Sequence, residues 1–175
     1  MFTALLWSAC REPPLVSTPS AVATATPPLP EPAVVFVVRH GEKGVDSILT
    51  EEGVARAELL ARMLTEVELV GVHSTDTERT LGTAQPTAQD HGLSVGLYEE
   101  TGALVDALVA VGGAHLVVGH SDTVPSIVEH LDPDTDATPI GSEEYDRLYL
   151  VVRTPVGATT TLLRFGAASE VPFSR

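Results

Sequence analysis

The sequence predicts an α/β fold: a three-layer α/β/α sandwich with a mostly parallel sheet and a C-terminal β-hairpin. Three observations lead there. Between residues 34 and 131, short apolar runs rich in β-branched residues alternate with segments of helical periodicity, and such alternation builds parallel strands with helices on both faces. Beyond them, two strand-like runs flank Pro155-Val-Gly157, a hairpin pattern that supplies at least one antiparallel strand. Finally, 175 residues with 43% hydrophobic content suffice for one substantial core.

The elements follow in order. Val34-Val-Phe-Val-Val38 is a continuous apolar run, as expected of a strand buried on both faces. Thr50 to Glu66 has helical spacing, with Val54, Ala57, Leu60, Ala61 and Leu64 on one face and Glu51, Arg56, Glu58 and Arg62 off it. Thr50 fits an N-cap, followed by the acidic Glu51 and Glu52. A second strand spans Leu69 to His73, and a second helix runs from Thr77 to His91, closed by Gly92. Leu93 to Tyr98 reads as the third strand and Gly102 to Val111 as the third helix. His115 to Gly119 gives the fourth strand. Thr123 to Leu131 is the fourth helix, with Pro125 tolerated in its first turn. The hairpin strands are Arg147 to Arg153 and Thr159 to Phe165.

The first 33 residues differ. Residues 13 to 32 hold seven of the 13 prolines, which removes backbone donors and disfavours helix, so an extended tether is expected. Ahead of it, Met1 to Cys10 is a short apolar run ending in small residues and the lone cysteine. It resembles the end of a bacterial lipoprotein signal, although no basic residue precedes the run. The resemblance implies a lipid anchor at Cys10 and a cell-envelope or secreted location, with a cytoplasmic one as the alternative. The division expected is therefore a signal-like and tethering segment over 1–33 and one folded domain over 34–175.

Charge narrows the function classes. The chain carries 24 acidic and 10 basic residues, a net charge of −14. The tether contributes only Arg11, Glu12 and Glu31, so nearly all of the excess belongs to the domain. No basic stripe is available for nucleic acid. One cysteine excludes a disulfide framework and a cysteine-based zinc site. Long-range steering works against an anionic ligand, so its capture must rest on a short-range cationic pocket.

Such a pocket is written at the strand ends. The first strand ends in Arg39-His40-Gly41-Glu42 and the fourth in Gly119-His120-Ser121. In parallel sheets ligands bind at the carboxyl ends of the strands, so both histidines share one rim. The second strand runs into Ser74-Thr-Asp-Thr-Glu-Arg79-Thr80, placing Arg79 early in a helix whose N-terminus favours an anion. Gly41 and Gly119 let a ligand approach the backbone. Two arginine forks match phosphoryl oxygens, and a neutral imidazole can attack phosphorus.

Arg39-His40-Gly41-Glu42, Leu49-Thr50-x-x-Gly53, Ser74-x-x-x-x-Arg79-Thr80-x-x-Thr83-Ala84 and Gly119-His120-Ser121 together resemble the histidine phosphatase superfamily, whose fold is phosphoglycerate mutase-like. Lys43 after the first motif is similar to small bacterial phosphatase members. The resemblance implies that His40 is the nucleophile, that Arg39, Arg79 and His120 complete a phosphate pocket floored by Gly41, and that neither metal nor cofactor is needed. The substrate expected is a phosphorylated small molecule or phosphoprotein, a phosphomonoester or phosphoamidate. The family's proton donor follows the third strand or the second histidine. Glu99 is the candidate taken here, with Glu100 and Asp122 as rivals. Glu99 and Glu100 also fit as solvated loop charges, and Asp122 fits as the N-cap of the fourth helix.

Other readings are weaker. His40, Glu42, His120 and Asp122 could suggest a metal hydrolase, but Arg39 and Arg79 repel a divalent cation and no His-Glu-x-x-His spacing occurs. Gly119-His-Ser-Asp-Thr123 lacks the second glycine of a serine-hydrolase elbow. A non-catalytic phosphate-binding domain and a phosphomutase are the remaining alternatives. A mutase needs enclosing insertions after the third strand, where only one short helix stands. His73, His91, His115 and His130 read as structural or surface residues, His73 being the one that ends a strand on the same rim.

Overall fold

The computed structural model describes residues 31–169. Cys10 with its expected anchor, and the proline-rich tether up to residue 30, lie outside the described residues.

The elements are β1 (Ala33–Arg39), α1 (Glu51–Leu64), β2 (Leu69–Ser74), α2 (Glu78–Asp90), β3 (Val95–Leu97), α3 (Thr101–Val111), β4 (Gly113–Gly119), α4 (Thr123–Leu131), β5 (Arg147–Thr154) and β6 (Gly157–Arg164). They form one six-stranded sheet in the order β3-β2-β4-β1-β5-β6. The pairs β1–β4, β2–β4 and β2–β3 are parallel; β5 runs antiparallel to β1, and β6 antiparallel to β5. The alternating elements thus supply the parallel strands, and the expected hairpin closes one edge.

Strand alternation divides the core between two faces. Val38, Leu116, Val118 and Leu148 point toward Leu60 and Leu64 of α1 and Ala84 and Ala88 of α2. Val35, Val37, Val117 and Val151 point toward Leu104 and Leu108 of α3 and Ile127, Val128 and Leu131 of α4. This is the three-layer arrangement. Thr50 caps α1 as expected, its hydroxyl accepting from the Gly53 N–H at 3.3 Å, and Thr77 does the same for Thr80 in α2 at 3.4 Å.

Two expectations are corrected. The third strand is shorter than Leu93 to Tyr98, pairing only over Val95–Leu97 at the sheet edge. On α1, Val54 is 46% exposed whereas Arg56 is 5% exposed, the reverse of the apolar-face assignment. The guanidinium turns inward because its acceptors are there: the Glu42 carboxylate (Nη2–Oε1 2.6 Å) and the carbonyls of Phe165 and Ala167 at 2.6 and 3.0 Å. With charge and donors satisfied, burial of arginine is tolerated.

One close approach fixes the loop after β1. A Cβ on Gly41 would lie 2.7 Å from the Gly53 carbonyl oxygen, and one on Gly53 would run into the Glu42 backbone. Only paired glycines let this loop rest directly on the N-terminus of α1, where Thr50 N–H donates to Glu42 O at 2.9 Å.

Candidate active site

The site grows from the central strand pair. Arg39 of β1 is in register with Gly119 of β4, and the next residue, His40, donates its backbone N–H to Gly119 O at 3.0 Å. His40 and His120 therefore leave adjacent strands at the same level, their ring centroids 5.4 Å apart and their planes at 69°. The β2–α2 turn brings Arg79 over both rings. Its Nε donates to His40 Nε2 at 3.2 Å, and Nη2 stands 3.4 Å from His120 Nδ1. The four residues singled out by motif thus converge on one rim.

Local bonds set each ring. His40 Nδ1 stands 2.8 Å from Gly41 O. A carbonyl can only accept, so Nδ1 carries the proton and the Nε2 lone pair faces Arg79. His120 Nε2 lies 3.0 Å from Thr75 Oγ1, which donates to Thr80 Oγ1 at 3.0 Å; by the same logic Nε2 carries the proton and Nδ1 faces the pocket. Thr83 ties the parts together, accepting from Gly41 N–H at 3.0 Å and donating to Arg79 O at 2.8 Å. Gly119 is required here: a Cβ would lie 2.6 Å from Thr123 Oγ1 and 2.9 Å from the Tyr98 hydroxyl.

Electrostatics favour a neutral imidazole at His40 beside the two guanidinium groups. Burial pushes His40 down to about 4, and the charges of Arg39 and Arg79 add to this. Burial also lowers His120, with Arg79 reinforcing it. Arg39 is 6% exposed, and burial lowers its pKa from its ordinary value. Its Nη1 donates to the carbonyls of Gly141 and Glu144 at 2.7 and 3.0 Å, and its buried Nε has no partner among the described residues. Among the described residues, Arg56, Arg62, Arg147 and Arg164 pair with carboxylates, whereas Arg39, Arg79 and the distant Arg153 do not. In so acidic a chain, two arginines without a carboxylate on one rim mark an anion-binding position.

The acid candidates sit apart from these bonds. Glu99 and Glu100 are exposed in the turn between β3 and α3, and Glu100 occupies the N-cap position without a side-chain bond. Asp122 takes the N-cap position of α4 but likewise makes no capping bond; its charge does bear on His120, opposing the downward shift. His91 and His130 lie at the C-terminal ends of α2 and α4. His73 is the penultimate residue of β2 and turns onto the sheet face, its Nε2 3.3 Å from His115 Nδ1. Burial pushes His73 down to about 4 and lowers His115 too. Neither joins the rim that holds His40 and His120.

One site residue escaped the sequence. Tyr145, in the loop before β5, stacks on Arg39 with the guanidinium carbon 4.1 Å from the ring centroid, and its ring lies 5.9 Å from that of His40. A cleft of about 330 Å³ opens beside it, lined by Glu42, Arg56, Glu143 and Ser169 among others. No motif announces this tyrosine, because its loop reaches the rim only through the antiparallel β1–β5 pairing. Among the described residues no group of three or more His, Cys, Asp and Glu side chains is placed to hold a metal ion.

Residues 35–101 match the family described as histidine phosphatase superfamily (branch 1). No curated protein sequence matches the chain significantly. Among solved structures, the protein histidine phosphatase SixA complexed with tungstate superposes with a TM-score of 0.64 at 20% identity, covering 75% of this chain and 96% of that one. The mycobacterial glucosyl-3-phosphoglycerate phosphatase gives 0.60 at 14% identity, covering 79% and 100%. The phosphoglycerate mutase of Bacillus anthracis gives 0.58 at 16% identity, covering 76% and 93%. At these identities the likenesses establish the fold, a phosphoglycerate mutase-like α/β sandwich.

Proposed function

We propose that this chain, whose residues 35–101 match the histidine phosphatase superfamily (branch 1), is a metal-independent phosphatase working through a phosphohistidine on His40. The observation that carries this reading is the pair of arginines without carboxylate partners around a neutral, correctly oriented imidazole. A phosphoryl group entering the rim takes the guanidinium of Arg79, which frees the Nε2 lone pair of His40. Arg39, held by two carbonyls and by Tyr145, presents its remaining donors to the equatorial oxygens. Such preorganised charge supplies most of the catalysis in phosphoryl transfer.

Nε2 forms a bond to phosphorus while the bond to the leaving oxygen or nitrogen breaks, and the leaving group takes a proton. Asp122 is the rim acid whose charge reaches a site imidazole, with Glu99 and Glu100 as its rivals. Water then attacks phosphorus, giving its proton to the carboxylate that protonated the leaving group; the P–N bond breaks, and inorganic phosphate leaves with neutral His40 and the acid restored. Only α3 separates β3 from β4, so little encloses the rim. That openness favours water over retention of the phosphorylated intermediate and supports hydrolysis over mutase action.

The deciding assay is hydrolysis of p-nitrophenyl phosphate in EDTA. Turnover that persists with the metal removed is expected; dependence on added metal overturns the mechanism, and inactivity on a broad phosphoester panel points to a binding domain. The pH profile adds a second check. A nucleophile pushed down to about 4 stays neutral through mildly acidic pH. After correction for substrate ionisation, kcat/KM should therefore begin to fall only near pH 4. An acid limb near the ordinary imidazole value of about 6.5 would contradict this.

A further inference from the structure

We propose that His73 and His115 form a second site, on the sheet face rather than the phosphate rim, that binds a divalent transition metal such as zinc. His73 Nε2 and His115 Nδ1 face each other at 3.3 Å. Two nitrogens bound to one tetrahedral zinc at about 2.0–2.1 Å each stand about 3.3 Å apart, so the pair already has the bite of a chelate.

Two further features support it. His115 Nε2 lies 2.9 Å from Gly112 O. That bond fixes the proton on Nε2, leaves the Nδ1 lone pair for an ion, and is the outer-shell contact that metal-bound imidazoles usually make. Secondly, glycines beneath the pair let the two rings close on each other. A Cβ on Gly71 would lie 2.7 Å from His73 Nε2 and 2.8 Å from His115 Nδ1, and one on Gly96 would lie 3.2 Å from His73 Nδ1. Glycine at 71 thus lets both donor nitrogens rest against the strand backbone, where any side chain would press on them.

Without an ion, one ring must donate to the other, and His73 does so from Nε2. On binding, His73 moves that proton to Nδ1, toward Gly96, and both facing lone pairs turn to the metal. No charge is created on either imidazole. Because only two side chains contribute, water completes the coordination, and the site stays exchangeable. Imidazole pairs suit zinc, nickel or copper rather than magnesium or calcium. The site joins β2 to β4 across the sheet.

Equilibrium dialysis of the untagged chain against zinc tests this, with bound metal counted in wild type, His73→Gln, His115→Gln and His40→Ala. Loss of an outer-shell partner alone weakens metal sites about 10–100-fold, so each of the first two variants should lose at least about tenfold. His40→Ala should retain the site, which separates it from adventitious binding on the phosphate rim. Ring-nitrogen NMR of the wild type needs no variant to fold: the His73 and His115 signals should shift with one equivalent of zinc, and magnesium should move neither. Zinc signals confined to His40 and His120, or binding unchanged in both His73→Gln and His115→Gln, overturn the proposal.

Discussion

His40→Ala is expected to lose about 10⁴-fold or more in kcat on p-nitrophenyl phosphate, the scale seen when a covalent nucleophile is removed. No other group can take its place. Among the described residues, His120 is the only other imidazole on the rim, and its Nε2 is engaged with Thr75. Arg39 and Arg79 remain in the variant, so phosphate binding should survive while turnover does not. That contrast separates a nucleophile from a residue that only holds the pocket together. Two measurements read it: steady-state turnover, and acid-labile, base-stable labelling of the protein by a phosphoryl donor. Turnover within about tenfold of wild type would remove His40 from the chemistry, since general acid–base assistance alone reaches about 10²–10⁴-fold.

Glu144→Ala is expected to cost about 3–5 kcal/mol of stability, the usual penalty for breaking a buried ion pair from one side. Glu144 is 4% exposed. Its Oε1 accepts from Arg147 Nε and Arg164 Nη1, each at 2.7 Å, and its Oε2 accepts from Arg147 Nη2 at 2.8 Å and Gly141 N at 3.1 Å. Truncation leaves the guanidinium of Arg147, itself 9% exposed, facing a cavity without a counter-charge. The effect reaches the phosphate rim, because the carbonyls of Gly141 and Glu144 are the acceptors that hold Arg39. Urea unfolding should report the stability loss, and kcat/KM should fall with it.

Its pH dependence has a fixed sign. Burial works to raise the Glu144 pKa, but the hydrogen bonds from Arg147, Gly141 and Arg164 prevail and bring it from 4.5 to about 2. A carboxylate with a depressed folded-state pKa stabilises fully above its unfolded value and loses that contribution as pH falls through the folded one. The gap between wild type and Glu144→Ala should therefore be constant near neutrality and shrink as pH drops from about 4.5 toward 2. A gap independent of pH across that window would show that the carboxylate's charge contributes nothing.

Legibility in the sequence differed from residue to residue. Val34 to Val38 and Leu116 to Gly119 announce buried parallel strands because no polar side chain interrupts them. The Arg-His-Gly and Gly-His-Ser segments could be placed on one rim because parallel strands present their carboxyl ends together. Arg56 was misjudged. On a helical projection it stands beside charged neighbours, and only the Glu42 carboxylate and the carbonyls of Phe165 and Ala167 make burial cheaper than exposure. His73 sits at the correct strand end, yet the sheet pleat points its ring to the face where His115 waits.

By itself, then, the sequence determined the layer order, the strand ends that bear the site, and the four residues Arg39, His40, Arg79 and His120. Each of these depends on chain-local pattern: apolar periodicity, capping residues, and a motif placed directly after a strand. Tertiary structure alone decided what surrounds them. Tyr145 under Arg39, the Gly141 and Glu144 carbonyls on its guanidinium, and the His73–His115 pair all join residues far apart in the chain. Such contacts are fixed by strand order and register, which place β1 between β4 and β5. A side chain's partners there follow from which strand lies alongside, and no local pattern carries that information.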